Sequence, residues 1–155
     1  MMMADLLAEF LNESKDMYFL TGTRDQALDL AARLHESGKF FVVTAEGGHL
    51  GTKSAVFSHF SVVMQFPSYF GWNWDALNEC IRDFVEERRL QSVILIIVEF
   101  QGVLRDKKSD LQILCDILQR CGATIVIQCA QDVAQPTLQK LRQAGLADIH
   151  DLVLE

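Results

Sequence analysis

The most constraining feature of the sequence is the run VILIIVEF at residues 93–100, whose first six members are all Val, Ile or Leu. A strand with one face in water would alternate apolar and polar side chains, so an unbroken run predicts a strand that is covered on both faces. Shorter runs of the same kind occur at residues 40–44 and 124–128. Buried strands of this type belong to parallel sheets with helices on their faces, and the sequence therefore predicts an α/β fold.

Segments with apolar residues at helical spacing lie between the strand-like runs. The predicted helices cover residues 5–12, 23–35, 54–64, 74–88, 109–121 and 137–144. Two further short strands are predicted at residues 17–20 and 149–154. No repeat or Pro/Gly-rich linker interrupts the chain, so we predict a single domain over residues 1–155.

The composition narrows the functional classes. Of the 155 residues, 50% are hydrophobic, and 14 basic against 21 acidic side chains give a formal charge of −7. An acidic balance argues against nucleic-acid binding and favours a cationic partner. No apolar run reaches the roughly 20 residues that a membrane span needs, and the N-terminus lacks the pattern of a secretory signal. We therefore expect a cytoplasmic protein with no membrane partner.

Neither the cysteines nor the histidines form a recognisable metal or catalytic motif. The four cysteines show no CxxC spacing, and the four histidines are far apart in the sequence. Free cysteines inside apolar segments behave as small core residues. We therefore predict no metal, no cofactor and no catalytic residue.

The glycine-rich stretch EGGHLGTKS at residues 46–54 offers an alternative. It lies between a predicted strand and a predicted helix, which is the context of a phosphate-binding loop. However, Thr52 stands before Lys53, where that motif requires glycine. A small α/β phosphate-binding enzyme is therefore the least favoured reading, and a plain connection is the favoured one.

The predicted helix at residues 74–88 has an apolar side and an acidic side. Four of its acidic residues recur at every fourth position and are Asp75, Glu79, Asp83 and Glu87. Like charges at this spacing oppose the helix by about 0.2–0.5 kcal/mol per pair. The stripe indicates either an ordinary solvated face or a surface for a cationic partner.

The residues before this helix, YFGWNW at 69–74, contain four aromatic rings. Rigid rings flanked by charge are typical of binding hot spots. Asn73 is a predicted helix cap, and Gly71 is expected to allow a turn or a close backbone approach. The loop and the acidic side of the helix therefore have the composition of a binding surface.

The run FPSYFGWNWDALNECI at residues 66–81 resembles the signature of the barstar family, the inhibitors of barnase-like ribonucleases. The order of predicted strands and helices over residues 40–128 is similar to that family as well. The resemblance implies a small parallel sheet of three core strands packed with α-helices. The N-terminal extension (1–39) and the C-terminal extension (129–155) lie outside it and could extend the sheet.

The function implied by the resemblance is that of a non-enzymatic inhibitor or immunity protein. Its loop and acidic helix would enter the RNA-binding active site of a basic ribonuclease. The predicted partner-binding residues would then be Tyr69, Phe70, Gly71, Trp72, Asn73, Trp74, Asp75, Asn78, Glu79 and Asp83. Asp75 and Glu79 would meet cationic side chains there in place of RNA phosphates, with Tyr69 and Trp74 as apolar anchors. The expected partner is thus a basic ribonuclease or ribonuclease-like toxin and not nucleic acid, and we expect a monomer.

The sequence departs from the family pattern at three positions. Asn78 and Glu79 stand where the family often has Trp and Asp, and Trp72 takes a position that is usually polar. These changes bear on the identity of the target more than on the fold. The alternative function is a non-inhibitory module that binds another cationic protein.

Overall fold

The computed structural model describes residues 3–11 and 17–154, with only the backbone of Met3. The helices of this part are α1 (Met3–Phe10), α2 (Arg24–Glu36), α3 (Lys53–Val63), α4 (Trp74–Glu87), α5 (Lys108–Arg120) and α6 (Ala134–Gln143). The strands are β1 (Met17–Thr21), β2 (Phe40–Glu46), β3 (Ser92–Val98), β4 (Thr124–Cys129) and β5 (Ile149–Leu152). The predicted α/β class is confirmed. None of the described helices is long and apolar enough to cross a membrane.

The strands form one parallel sheet in the order β2-β3-β4-β1-β5. Leu95 of β3, for example, is in register with Val43 of β2 and with Ile125 of β4. Strands β2, β3 and β4 are neighbours, and the sheet continues beyond β4 through β1 and β5. Both added strands come from the terminal extensions, so the three strands β2, β3 and β4 are extended to a sheet of five.

Alternate side chains of β3 enter two different cores, which explains its unbroken apolar run. Val93, Leu95 and Ile97 pack in the core that contains α3, α4, α5 and α6. The intervening residues Ile94 and Ile96 pack on the other face, with α1 and α2. Each of these five side chains is at most 2% exposed. The sheet is therefore covered by helices on both faces, as expected for buried parallel strands.

The strand predicted at residues 93–100 ends two residues earlier than expected. Glu99 has a φ of 53° and lies just before a short 3₁₀ helix at residues 100–102. Its backbone N–H donates to Oε1 of Gln128, at 2.9 Å. The fully buried Gln128 also donates from Nε2 to the carbonyl of Gly22, at 2.8 Å. One side chain of β4 thus joins the segments that follow β3 and β1.

Candidate functional site: an acidic helix and its aromatic loop

Helix α4 turns one side to the core and its acidic side to solvent. Its buried residues are Leu77, Ile81 and Phe84. Four of its exposed acidic residues follow one another at every fourth position and are called the acidic stripe below: Asp75, Glu79, Asp83 and Glu87. The four-residue spacing therefore places the carboxylates as the sequence predicts.

The first three members of the acidic stripe are not neutralised by a neighbouring cation. Within the part of the chain that the structure describes, no ion pair involves Asp75, Glu79 or Asp83. Glu87 differs, because its Oε2 lies 3.6 Å from Nη1 of Arg88. The charge available to a partner is thus concentrated at residues 75–83.

Asn73 fixes the junction between the loop and α4. Its Oδ1 accepts a hydrogen bond from the backbone N–H of Ala76 at 2.8 Å, which confirms the predicted cap. Its Nδ2 donates to the carbonyl of Gly71 at 3.2 Å. A Cβ atom on Gly71 would lie only 3.3 Å from this Nδ2, so the glycine permits the close approach. A single amide therefore orients both the last loop residues and the first helical turn.

The turn itself is made at Trp72 and not at Gly71. Trp72 has a φ of 53°, whereas Gly71 has no positive φ. This backbone conformation costs a non-glycine residue about 1–2 kcal/mol. The Trp72 ring lies 5.2 Å from the ring of Phe70, and 54% of the residue remains exposed.

The loop rests on a layer of packed aromatic rings. Phe70 is 5% exposed and lies 6.1 Å from Phe57 of α3 and 5.1 Å from Phe66. Trp74 is half-buried and packs edge-on against Phe57 at 5.0 Å. Phe70, one of the predicted partner-binding residues, is therefore a core residue that supports the loop from below.

The other predicted partner-binding residues lie together on the surface. We call this set the loop–helix surface, and it consists of Tyr69, Gly71, Trp72, Asn73, Trp74, Asp75, Asn78, Glu79 and Asp83. All are exposed except the half-buried Trp74 and Asn78. Tyr69 is the most open of the aromatic residues, at 80%. The surface combines rings at one end with unpaired carboxylates at the other.

A groove of about 250 Å³ borders the loop–helix surface, between Tyr69 of the loop and Asp83 of the helix. The thiol of Cys80 also lines it. Burial raises the pKa of this thiol, and the nearby Asp83 and Glu79 raise it further. Cys80 is therefore protonated at neutral pH and adds apolar surface to the groove rather than a reactive thiolate.

Two histidines form a cluster that sequence reasoning missed. The rings of His49 and His59 lie 5.3 Å apart, and Nε2 of His59 accepts a hydrogen bond from the backbone N–H of Glu46 at 3.0 Å. Burial lowers the pKa of His59, and the charge of His49 lowers it further. The negative charge of Glu46 raises this pKa but does not outweigh the other two effects. Glu46 also forms an ion pair with Arg24. Ten positions separate the two histidines, and no motif in the sequence joins them.

The glycine-rich stretch at residues 46–54 packs closely against the chain itself. A Cβ atom on Gly47 would lie 2.0 Å from the carbonyl oxygen of Glu99, whereas one on Gly48 would meet nothing within 4 Å. The hydroxyl of Thr52 caps α3 by accepting from the N–H of Ala55 at 3.1 Å. Glycine at position 47 is thus explained by contact with the segment after β3.

The family model described as Barstar (barnase inhibitor) matches residues 40–140. This range contains β2, β3 and β4 together with the entire loop–helix surface. Strands β1 and β5 lie outside it. No curated protein matches the chain.

Several solved structures are similar over nearly the whole chain. They include the Aeropyrum pernix ORC2 protein in ADPNP-ADP complexes (16% identity, TM-score 0.65) and Cdc6p from Pyrobaculum aerophilum (14%, 0.62). A third is Drosophila ORC bound to DNA (15%, 0.63). The matches cover 96%, 95% and 96% of this chain but 46%, 42% and 28% of the respective structures. The chain thus spans less than half of each, and the likeness concerns the fold alone.

Proposed function

The chain belongs to the barstar family, and we propose that it binds and inhibits a basic ribonuclease through the loop–helix surface. In this proposal the carboxylates of Asp75, Glu79 and Asp83 take the places of RNA phosphates and contact the cationic side chains with which the enzyme holds them. The family's description as a barnase inhibitor implies a protein partner. The observation that carries the proposal is the exposed acidic stripe beside an aromatic loop that Asn73 holds in place.

The chemistry of the surface suits a cleft built for phosphates. A carboxylate accepts two hydrogen bonds from one Arg side chain, as a phosphate does. Successive members of the stripe are about 6 Å apart along the helix axis, because α-helices rise by about 1.5 Å per residue. A net charge of −7 also attracts a basic enzyme before contact and raises the rate of encounter.

The rigidity of the surface supports tight binding. Helix α4 is anchored through its buried side, and Asn73 and Phe70 order the loop before any partner arrives. A surface that is already ordered loses less conformational freedom on association. The aromatic rings can therefore act as anchors at low entropic cost.

The added strands leave the loop–helix surface open. Phe84 of α4 contacts Phe41 of β2, with ring centroids 5.6 Å apart, which places the helix near the β2 edge of the sheet. Strand β5 forms the opposite edge, and β1 lies next to it. We propose that β2, β3 and β4 are the three-stranded sheet of the family and that β1 and β5 are additions outside the inhibitory surface.

A phosphate-binding enzyme finds less support, although one similar structure is named for its ADPNP-ADP complexes. In the turn after β1, backbone groups are already bonded to side chains of the protein. Gln128 donates to the Gly22 carbonyl, and Gln26 accepts from the N–H of Thr23. A cavity of about 430 Å³ lies near the ends of β1 and β5. None of the described residues that line it is Lys or Arg, so the cavity offers no side-chain cation to a phosphate.

The proposal is tested by measuring association with barnase at several salt concentrations. The variant D75K/E79K should associate at least about tenfold more slowly than the wild type, with a weaker dependence on salt. The control E36K/D148K changes the net charge equally at two exposed positions outside the loop–helix surface. An equal effect of both double variants would contradict the proposal, and binding without loss of RNA cleavage would favour the non-inhibitory module.

A further inference from the structure

Trp72 combines a strained backbone with an exposed indole. Three other non-glycine residues of the described chain have a positive φ, and their own contacts account for them. Gln65 follows the end of α3, Leu104 is 2% exposed, and the N–H of Glu99 is bonded to Gln128. Trp72 is the aromatic residue of this group, and it remains 54% exposed.

The fold itself does not require an indole at this position. Gly71 and Ala76 on either side of the turn are held by the amide of Asn73, and Phe70 already fills the core below. Glycine or asparagine adopts the left-handed backbone with less strain than tryptophan does. A strained residue that the surrounding structure keeps in place, on an exposed loop, points to a role outside the fold.

We propose that Trp72 is a preorganised anchor that enters a base-binding subsite of the partner ribonuclease, while Asp75 and Glu79 take the neighbouring phosphate subsites. This inference rests on the proposed function and assigns a specific task to a residue that departs from the family pattern. Trp72 and the acidic stripe then imitate a nucleotide together. The indole takes the place of the base, and the carboxylates take the places of the phosphates.

The geometry and chemistry of the loop fit this task. Proteins that hold single-stranded RNA stack its bases on flat side chains, and an indole offers the same kind of flat ring. Trp72 and Asp75 are three residues apart, so their Cα atoms are at most about 11 Å apart. The Phe70 ring, 5.2 Å from the indole, restricts its motion from one side. The ring and the first carboxylate are therefore presented together.

The first test compares Trp72→Asn, Trp72→Gly and Trp72→Phe in thermal unfolding and in binding to barnase. Asn and Gly should leave the unfolding temperature unchanged or raised, because they relieve the left-handed strain, yet weaken binding by about tenfold or more. Phe should recover part of the affinity, since it keeps a flat ring. The control is Leu90→Asn, at a residue that is 97% exposed and outside the loop–helix surface, and it should bind like the wild type.

The second test identifies the subsite with free guanosine and adenosine, which can fill a base subsite but no phosphate subsite. At least one of them should weaken the binding of wild-type protein to barnase and leave the residual binding of Trp72→Asn unchanged. If Trp72→Asn binds barnase as tightly as the wild type does, the inference is wrong while the proposed function stands. The same conclusion follows if the nucleosides weaken the binding of both proteins to barnase equally, or weaken neither. If the wild type does not bind barnase, the proposed function is overturned and this inference with it.

Discussion

Oδ1 of Asn73 accepts a 2.8 Å hydrogen bond from the backbone N–H of Ala76, and this bond starts α4 next to the loop that carries Trp72. Because Nδ2 of the same side chain holds Gly71 at 3.2 Å, the amide has two separable roles. The helix cap contributes to stability, and the bond to Gly71 orders the loop.

The two roles of Asn73 predict different outcomes for two substitutions. Asn73→Ala should lower the free energy of unfolding by about 1 kcal/mol, the usual cost of a lost cap, and should also weaken binding to barnase. Asn73→Asp keeps an acceptor for Ala76 but loses the donor to Gly71, so stability should stay near the wild-type value while binding weakens. Urea unfolding and binding measurements check both. Equal stability of all three proteins would contradict the role of the cap.

Substitution of Gly47 and of its neighbour Gly48 by alanine tests whether close packing explains the glycine at position 47. Gly47→Ala would place a Cβ atom 2.0 Å from the carbonyl oxygen of Glu99, so the backbone must shift, and we expect a loss of about 1–3 kcal/mol. Gly48→Ala meets no atom within 4 Å and should be neutral or slightly stabilising. Urea unfolding of both variants measures the difference. Similar stabilities would show that close packing does not explain Gly47.

The two hydrogen bonds of Gln128 lead to a prediction about how the segment after β1 is joined to the rest of the sheet. Gln128→Leu removes the acceptor of the Glu99 N–H and the donor to the Gly22 carbonyl, and should cost about 1–3 kcal/mol or more. Gln143→Leu, at an exposed position of α6, is the control and should change stability little. Hydrogen exchange would show faster exchange of the Glu99 amide in Gln128→Leu. An unchanged rate at this amide would refute the bridging role.

The surroundings of His59 lead us to expect a free energy of unfolding that depends on pH. Its Nε2 accepts a hydrogen bond from the Glu46 N–H, which only the neutral ring can do, and burial lowers its pKa below the ordinary value. The unfolded chain therefore binds a proton more readily than the folded chain. The contribution to stability is fully present above about pH 6.5 and is lost as the pH falls toward the lower pKa of the folded state.

A non-titrating variant isolates this effect. His59→Gln can still accept a hydrogen bond from the Glu46 N–H, but its side chain takes up no proton over this range. Between pH 7.5 and pH 5.5, the wild type should lose more unfolding free energy than His59→Gln does in urea titrations. Parallel pH profiles of the two proteins would rule out the proposed contribution of His59.

Local patterns in the sequence predicted the elements of the fold and the exposure of the acidic stripe. The run at residues 93–98 is apolar throughout because both faces of β3 are covered. Asp75, Glu79 and Asp83 are exposed because their four-residue spacing keeps them opposite the buried side of α4. Both results follow from the periods of the strand and of the helix.

Long-range pairing and backbone detail could not be predicted in the same way. The position of β1 between β4 and β5 depends on contacts between segments more than a hundred residues apart, such as Gln128 with Gly22. Gly71 was expected to allow a turn or a close backbone approach; the structure shows the close approach to Asn73, whereas the positive φ lies at Trp72. The burial of Phe70 depends on Phe57 of another helix, which the loop sequence alone does not show.

The most direct test of the central claim is a titration of this protein into barnase during RNA cleavage, at enzyme concentrations well above the dissociation constant. If the loop–helix surface occupies the active site, cleavage should fall linearly and reach zero at one equivalent of inhibitor. The D75K/E79K protein should leave cleavage largely intact at the same ratio, and E36K/D148K should inhibit like the wild type. Unchanged cleavage at a stoichiometric excess of the wild-type protein would contradict the account.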